Sequence, residues 1–214
     1  MTTLQIISLI ALAICIVIFL FYFIRILRLG KPKEFSVKSG DVKKGVVYSN
    51  TVAMMPNNKE SAYLHLPSYA LGMLFHMGTF SSFLLFFLSF FNFFNQWLQN
   101  DHFIHYLIPL FLLVTFVCGT LLLFKRFINK DLRTLSNVDD YLSNAFTTLF
   151  HLFTLLYLTF PNLPTIIFLY YLFATLLFLY MPIGKLRHLL YYFSARFHLG
   201  FFFGWRNVWP IKKG

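Results

Sequence analysis

Residues 179–209 read LYMPIGKLRHLLYYFSARFHLGFFFGWRNVW, and this stretch decides how the chain is understood. An apolar run that began at Thr165 arrives here with Gly184 and His188 four residues apart, then meets Lys185, Arg187 and Arg196. Apolar residues that give way at one end to basic ones describe a helix leaving a bilayer, since cations collect where hydrocarbon meets water. A histidine at that boundary is costly to bury without a partner.

The rest of the chain repeats the pattern. Apolar residues make up 58% of the 214, charged residues 12%, and phenylalanine alone occurs 30 times. Crossing a hydrocarbon core takes about 20 apolar residues. Uncharged runs of that order occur over Ile6–Ile24, Tyr69–Phe94, Ile104–Phe124, Leu142–Phe160 and Thr165–Gly184. The expected fold is therefore an all-α membrane protein with five transmembrane helices in a bundle. The first run is read as a helix rather than a cleaved leader, because it has no basic segment before it and no small-residue cleavage site.

A formal charge of +11 suggests nucleic acid until its distribution is read. All 18 Lys and Arg fall within Arg25–Lys59, Lys125–Arg133 and Lys185–Lys213, the alternate connections of a five-helix chain and its tail. The other connections carry none. Retention of basic loops in the cytoplasm predicts the N-terminus outside and the C-terminus cytoplasmic. Membrane orientation accounts for the charge, and no nucleic-acid partner is expected. The predicted organisation is a first helix over 1–28, a cytoplasmic loop over 29–67, a four-helix membrane bundle over 68–196 and a cytoplasmic tail over 197–214. The long loop reads either as a solvated basic segment or as a grip for a partner.

Local signals place the ends. In KRFINKDLRTLSNVDDYLS, Ser136 or Asn137 is a helix N-cap, with Asp139 and Asp140 in the first turn, where acids suit the helix dipole. Trp97 marks an interface, and PNLPT at 161–165 is a tight turn. No phosphate loop, nucleophile elbow or carboxylate pair is present, so no catalytic residue is assigned. None of the seven acidic residues lies within a span, which leaves a proton-pumping carboxylate chain or a transporter unsupported. Cys15 and Cys118 lie in separate spans and cannot hold an iron–sulfur centre.

Seven histidines remain: His65, His76, His102, His105, His151, His188 and His198. A bis-imidazole haem needs two from different helices at equal depth, each with room for a macrocycle. Counting about 20 residues inward at 1.5 Å each, the second helix reaches His76 from Gln96, and the fifth reaches Lys185 from Thr165, three short of His188. Gly72 precedes His76 by four residues, and Gly184 precedes His188 by four. On a helix this puts a residue without a side chain one turn away on the same face. His76 and His188 are thus the expected axial ligands of one haem iron, with Gly72 and Gly184 making room; the competing reading is two interfacial histidines that bond to headgroups. His65 and His198 form a weaker second pair beyond the hydrocarbon. His151, mid-span, reads either as a hydrogen-bonding partner of a neighbouring helix or as a residue near a quinone.

Read together, MLFHMG at 73–78, LSNVDDYLS at 135–143 and MPIGKLRHLLYYFSARF at 181–197 resemble the five-helix cytochrome b subunits typified by the gamma subunit of respiratory nitrate reductase, with relatives in membrane heterodisulfide reductase and sulfate-reducer redox complexes. The likeness covers Pro67–Arg206. It implies a prokaryotic cytoplasmic-membrane subunit whose haem b nearest the cytoplasm is held by His76 and His188, with a quinone as substrate and a cytoplasmic iron–sulfur subunit as partner. Where such subunits ligate a second, outer haem, this chain has Phe86 and Tyr170. One haem is therefore expected, with the quinone site beside it and Tyr170 or His151 as possible contributors. The resulting expectation is a mono-haem electron-transferring anchor, the quinone-reactive part of an oxidoreductase rather than a whole enzyme. The alternative is a haem-free membrane anchor or scaffold of a redox complex.

Overall fold

A computed structural model of the chain describes residues 2–31, 33–58, 62, 64–91 and 102–211. The described residues are 81% helical, with no strand among them. Eight α-helices are described: α1 (Thr3–Arg28), α2 (Val42–Asn50), α3 (Leu66–Leu88), α4 (His102–Ile128), α5 (Lys130–Leu135), α6 (Val138–Thr159), α7 (Pro164–Tyr180) and α8 (His188–Trp205). They fall into two compact units, residues 1–15 with 67–185 and residues 16–66 with 186–214.

Three helices, α1, α3 and α4, are long and apolar enough to cross a membrane, and α7 with α8 qualifies as a fourth if the pair is one interrupted span. This differs from five unbroken spans in two places. The first is α6, where Ser143, Thr147, Thr148, His151 and Thr154 dilute the apolar residues. The second is the expected continuity from Thr165 to His188. Helix α7 stops at Tyr180, and Pro182, which lacks an N–H and clashes with a continuing helix, leads into a turn. Here Ile183 and Gly184 donate to the Tyr180 carbonyl at 3.0 and 2.9 Å. A 3-10 turn over Lys185–Arg187 then starts α8.

The first unit buries hydroxyls among aromatic and aliphatic side chains and is apolar without. Ser82, Thr115, Thr147, Thr148, His151 and Thr154 are buried, while Leu110, Leu113, Val117 and Leu121 of α4 and Phe80, Leu84 and Phe87 of α3 are exposed. Water would penalise that arrangement, and hydrocarbon favours it, because hydroxyls without water must bond within the bundle. Thr147, Thr154 and Thr175 each donate to the carbonyl one turn back, at 2.7–2.8 Å, whereas the buried Ser82 Oγ has no hydrogen-bond partner among the described residues. Gly78 lies against Thr115, and Gly119 against Thr148 and the Phe75 ring, so α3–α4 and α4–α6 meet at positions where a Cβ would not fit. The N-terminus of α6 is capped by Asn137, whose side chain accepts from the Asp140 N–H while Asp140 accepts from the Asn137 N–H, a reciprocal capping box. Pro164 at the start of α7 uses the position where a missing N–H costs nothing. Trp97 and Gln96 lie outside the described residues.

The second unit contains the remainder of α1, the 29–66 segment, α8 and the tail. The segment is not merely a solvated loop. Asp41 accepts from the Lys43 and Lys44 N–H groups and starts α2, and α2 packs on α8 through glycines. A Cβ on Gly45 would strike the Gly200 and Gly204 backbones, and one on Gly200 would meet the Val46 backbone. Gly200 and Gly204 form a GxxxG pair, a spacing that lets helix backbones approach closely. Around it, Ser49 Oγ donates to the Arg196 carbonyl at 2.7 Å and Arg196 Nε returns a bond to the Ser49 carbonyl at 2.8 Å. Trp205 Nε1 donates to Ser36 O at 2.8 Å, and Arg206 pairs with Glu34 at 3.0 Å. Helix α8 passes without a break through residue 197, where the tail was expected to begin.

Candidate cofactor site

His76 sits on α3 with its ring exposed. Its Nδ1 lies 2.7 Å from the Gly72 carbonyl oxygen. A carbonyl only accepts, so Nδ1 carries the proton, and the lone pair of the neutral imidazole is on Nε2. Metal-ligating histidines are oriented in this way, with one nitrogen bonded to a carbonyl and the other turned to the metal. Gly72 serves twice here: its carbonyl fixes the tautomer, and nothing lies within 4 Å of where its Cβ would be. This half of the expected site fits a flat cofactor.

The other half differs from expectation. His188 opens α8 and is exposed, in the second unit. Gly184 provides no open space, since a Cβ there would strike the Tyr180 ring. The reason is the break at Pro182: Gly184 and His188 do not share one helical face, and the chain folds back so that Tyr180 covers the glycine. Tyr180 is held by bonds to the Asp139 carboxylate, to the Asp139 carbonyl at 3.2 Å and to Ser143 Oγ at 3.0 Å. Beside it Asp140 accepts from Lys185 at 2.6 Å and lies 3.4 Å from Arg126.

His151 is buried on α6. Its Nε2 is 3.1 Å from Thr79 Oγ1, which already donates to the Phe75 carbonyl at 2.8 Å. The hydroxyl has one proton and spends it on Phe75, so it accepts from His151, and Nε2 bears the hydrogen. Of the two readings of His151, this geometry supplies the hydrogen bond to a neighbouring helix. The Phe75 ring meets the His76 ring edge-on at 6.0 Å and lies tilted against that of His151 at 5.1 Å.

Tyr170 and Phe86 are both buried, with ring centroids 6.1 Å apart. Phe150 stacks on Tyr170 at 6.1 Å, Tyr157 stacks on it at 4.5 Å, and Phe178 lies 4.9 Å from Phe86. Aromatic rings thus pack around both residues. Tyr171 beside them bonds to Gln5 Nε2 and Ser89 Oγ, each at 3.1 Å. His65 is exposed, and His105 is half-buried against Tyr106. The side chain of His102 lies outside the described residues. His198 lines a cavity of the second unit. Among the described residues no three His, Cys, Asp or Glu side chains converge as a protein-only metal site.

Residue-by-residue reading of the sequence missed the α2–α8 packing and the role of Tyr180. The signals were there: Asp41 before an apolar-periodic segment, the GxxxG of residues 200–204, and Pro182 inside an apolar run. No family model matches the chain, and no significant match to it is found among curated proteins or solved structures.

Proposed function

We propose that the chain is a mono-haem cytochrome b membrane anchor passing electrons between a membrane quinone and a cytoplasmic iron–sulfur subunit. In this reading it lies in a prokaryotic cytoplasmic membrane with five spans, the fifth over Thr165–Gly184, and with its basic connections on the cytoplasmic side. The observation that carries the proposal is the His76 tautomer, fixed by the Gly72 carbonyl at 2.7 Å beside open space. Apolar helices that bury hydroxyls support the membrane setting. The aromatic packing around Phe86 and Tyr170 supports one haem rather than two.

His76 would hold the iron through Nε2, with His188 as the second axial ligand, and the bound haem would supply one-electron carriage. The chain's own contributions are to fix imidazole orientation and to place the Arg187 cation next to His188 in the chain. The test is the reduced-minus-oxidised visible spectrum of the purified chain. A b-type band is expected in wild type and is lost in His76→Ala and in His188→Ala, while Gly72→Leu, which fills the open space, lowers haem content with helicity unchanged. A band surviving in His76→Ala would overturn the assignment. A folded wild type without haem would leave the scaffold reading.

A further inference from the structure

The second unit contains a cavity of about 880 Å³ between the end of α1 and α8, within the range of about 300–1,000 Å³ usual for ligand sites. Its walls are apolar and aromatic, chiefly Phe19, Phe23 and Leu27 from α1 and Phe193 and Phe197 from α8. Polar groups enter through Lys31, Ser194 and His198.

The order of contacts along the two helices shows where those groups lie. Tyr22 meets Tyr191 at 6.4 Å, whereas further along both segments Ser36 meets Trp205 and Glu34 meets Arg206. The chain from α1 and the chain of α8 therefore run in the same direction. Lys31 and His198 come to one end of the cleft, and the other end is wholly apolar. The charge around it has one sign. This unit carries 13 of the 18 Lys and Arg but three of the seven acids, a formal +10, and the first unit carries five against four, or +1. Of the acids, Glu34 is paired with Arg206 and Asp41 caps α2.

We propose that this cleft binds one anionic phospholipid, its acyl chain against the phenylalanines and its phosphate at Lys31, with His198 and Ser194 as hydrogen-bond donors. A long apolar slot asks for an acyl chain, and a single cation at its mouth asks for an anionic head. Basic pockets at a membrane boundary recognise acidic headgroups on the same terms. A neutral isoprenoid quinone would use the slot and leave the cation without purpose. The site is independent of the haem reading.

Native mass spectrometry of the full chain, titrated separately with dioleoyl phosphatidylglycerol, dioleoyl phosphatidylcholine and a menaquinone, tests this. The first phosphatidylglycerol adduct should form in preference to phosphatidylcholine by about fivefold, the ratio expected from roughly one cation's attraction at a surface. Lys31→Glu should abolish the preference while the phosphatidylcholine adduct persists, and Lys43→Glu, on α2, should leave it intact. Ser194→Trp, which fills the slot, should remove the first adduct of both lipids. Because Lys31 is exposed, its variant folds whether or not the tryptophan variant does. Equal lipid adducts in wild type, or a preference shared by Lys31→Glu, would overturn the site as a specific one. Displacement of the lipid by menaquinone, with Lys31→Glu binding the quinone equally well, would reassign the cleft to a neutral ligand.

Discussion

Asp140 ties together three places in the sequence: the cap of α6, Arg126 at the end of α4 and Lys185 beyond α7. Partial burial pushes its carboxyl up. The Lys185 hydrogen bond, the Asn137 N–H and the charges of Lys185 and Arg126 outweigh that and hold it below its ordinary value of 3.8. A carboxyl with a lowered folded value stabilises the fold above its unfolded value, and that contribution is lost as pH falls below about 4. Asp140→Asn should therefore lower the thermal midpoint at pH 7 and make little difference at pH 3, as read by circular dichroism in detergent. His151 calls for a different experiment. Its bond to Thr79 is replaceable, because Thr79 retains Phe75 O, so His151→Phe should shift stability by no more than about 1 kcal/mol. His151→Ala, which leaves a cavity, should cost about 2–4 kcal/mol. Equal losses in the two would show that the imidazole contributes something the hydrogen bond does not. Neither Asp140's ion pairs nor the His151 tautomer was legible in the sequence, because each depends on which helices meet. The Gly72–His76 spacing was legible, because one turn of helix dictates it.

Helix α8 takes its position from small residues rather than from apolar contacts. Gly45, Gly200 and Gly204 meet backbone to backbone, where no rotamer change can relieve an added side chain. Gly200→Leu should destabilise the α2–α8 pair by about 1–3 kcal/mol or more. The readout is limited proteolysis, with cleavage between residues 29 and 66 accelerated in the variant and unchanged in Val47→Ala as a control, since Val47 is an exposed position of α2. Unchanged cleavage in Gly200→Leu would show that the segment does not depend on this packing. The long apolar helices were readable from their runs, and so was the Asn137 cap, because local chemistry fixes both. The folding of the 29–67 segment was not, since its stabilisation comes from α8, about 150 residues away in the chain. The interruption of the fifth run was readable in principle: a proline inside an apolar stretch breaks the hydrogen-bond ladder wherever it falls.

Across the whole chain, charge and apolarity are divided between the two units. One is almost neutral and buries hydroxyls beneath an apolar exterior, as a lipid-immersed bundle does. The other carries +10 and gathers the basic loop, α8 and the tail, which suits an acidic membrane surface and an acidic partner alike. The preference of the bilayer-reconstituted chain for phosphatidylglycerol over phosphatidylcholine at its basic unit should accordingly weaken with salt, as screened charges do, and a salt-independent preference would place the basic unit's role elsewhere. The electron-carrying account stands on a cofactor count. Pyridine haemochrome quantitation of the purified wild-type chain, against protein determined by amino-acid analysis, is predicted to give one haem b per chain. A ratio of two would contradict the single-haem reading of Phe86 and Tyr170, and a ratio of zero in folded protein would contradict the central claim outright.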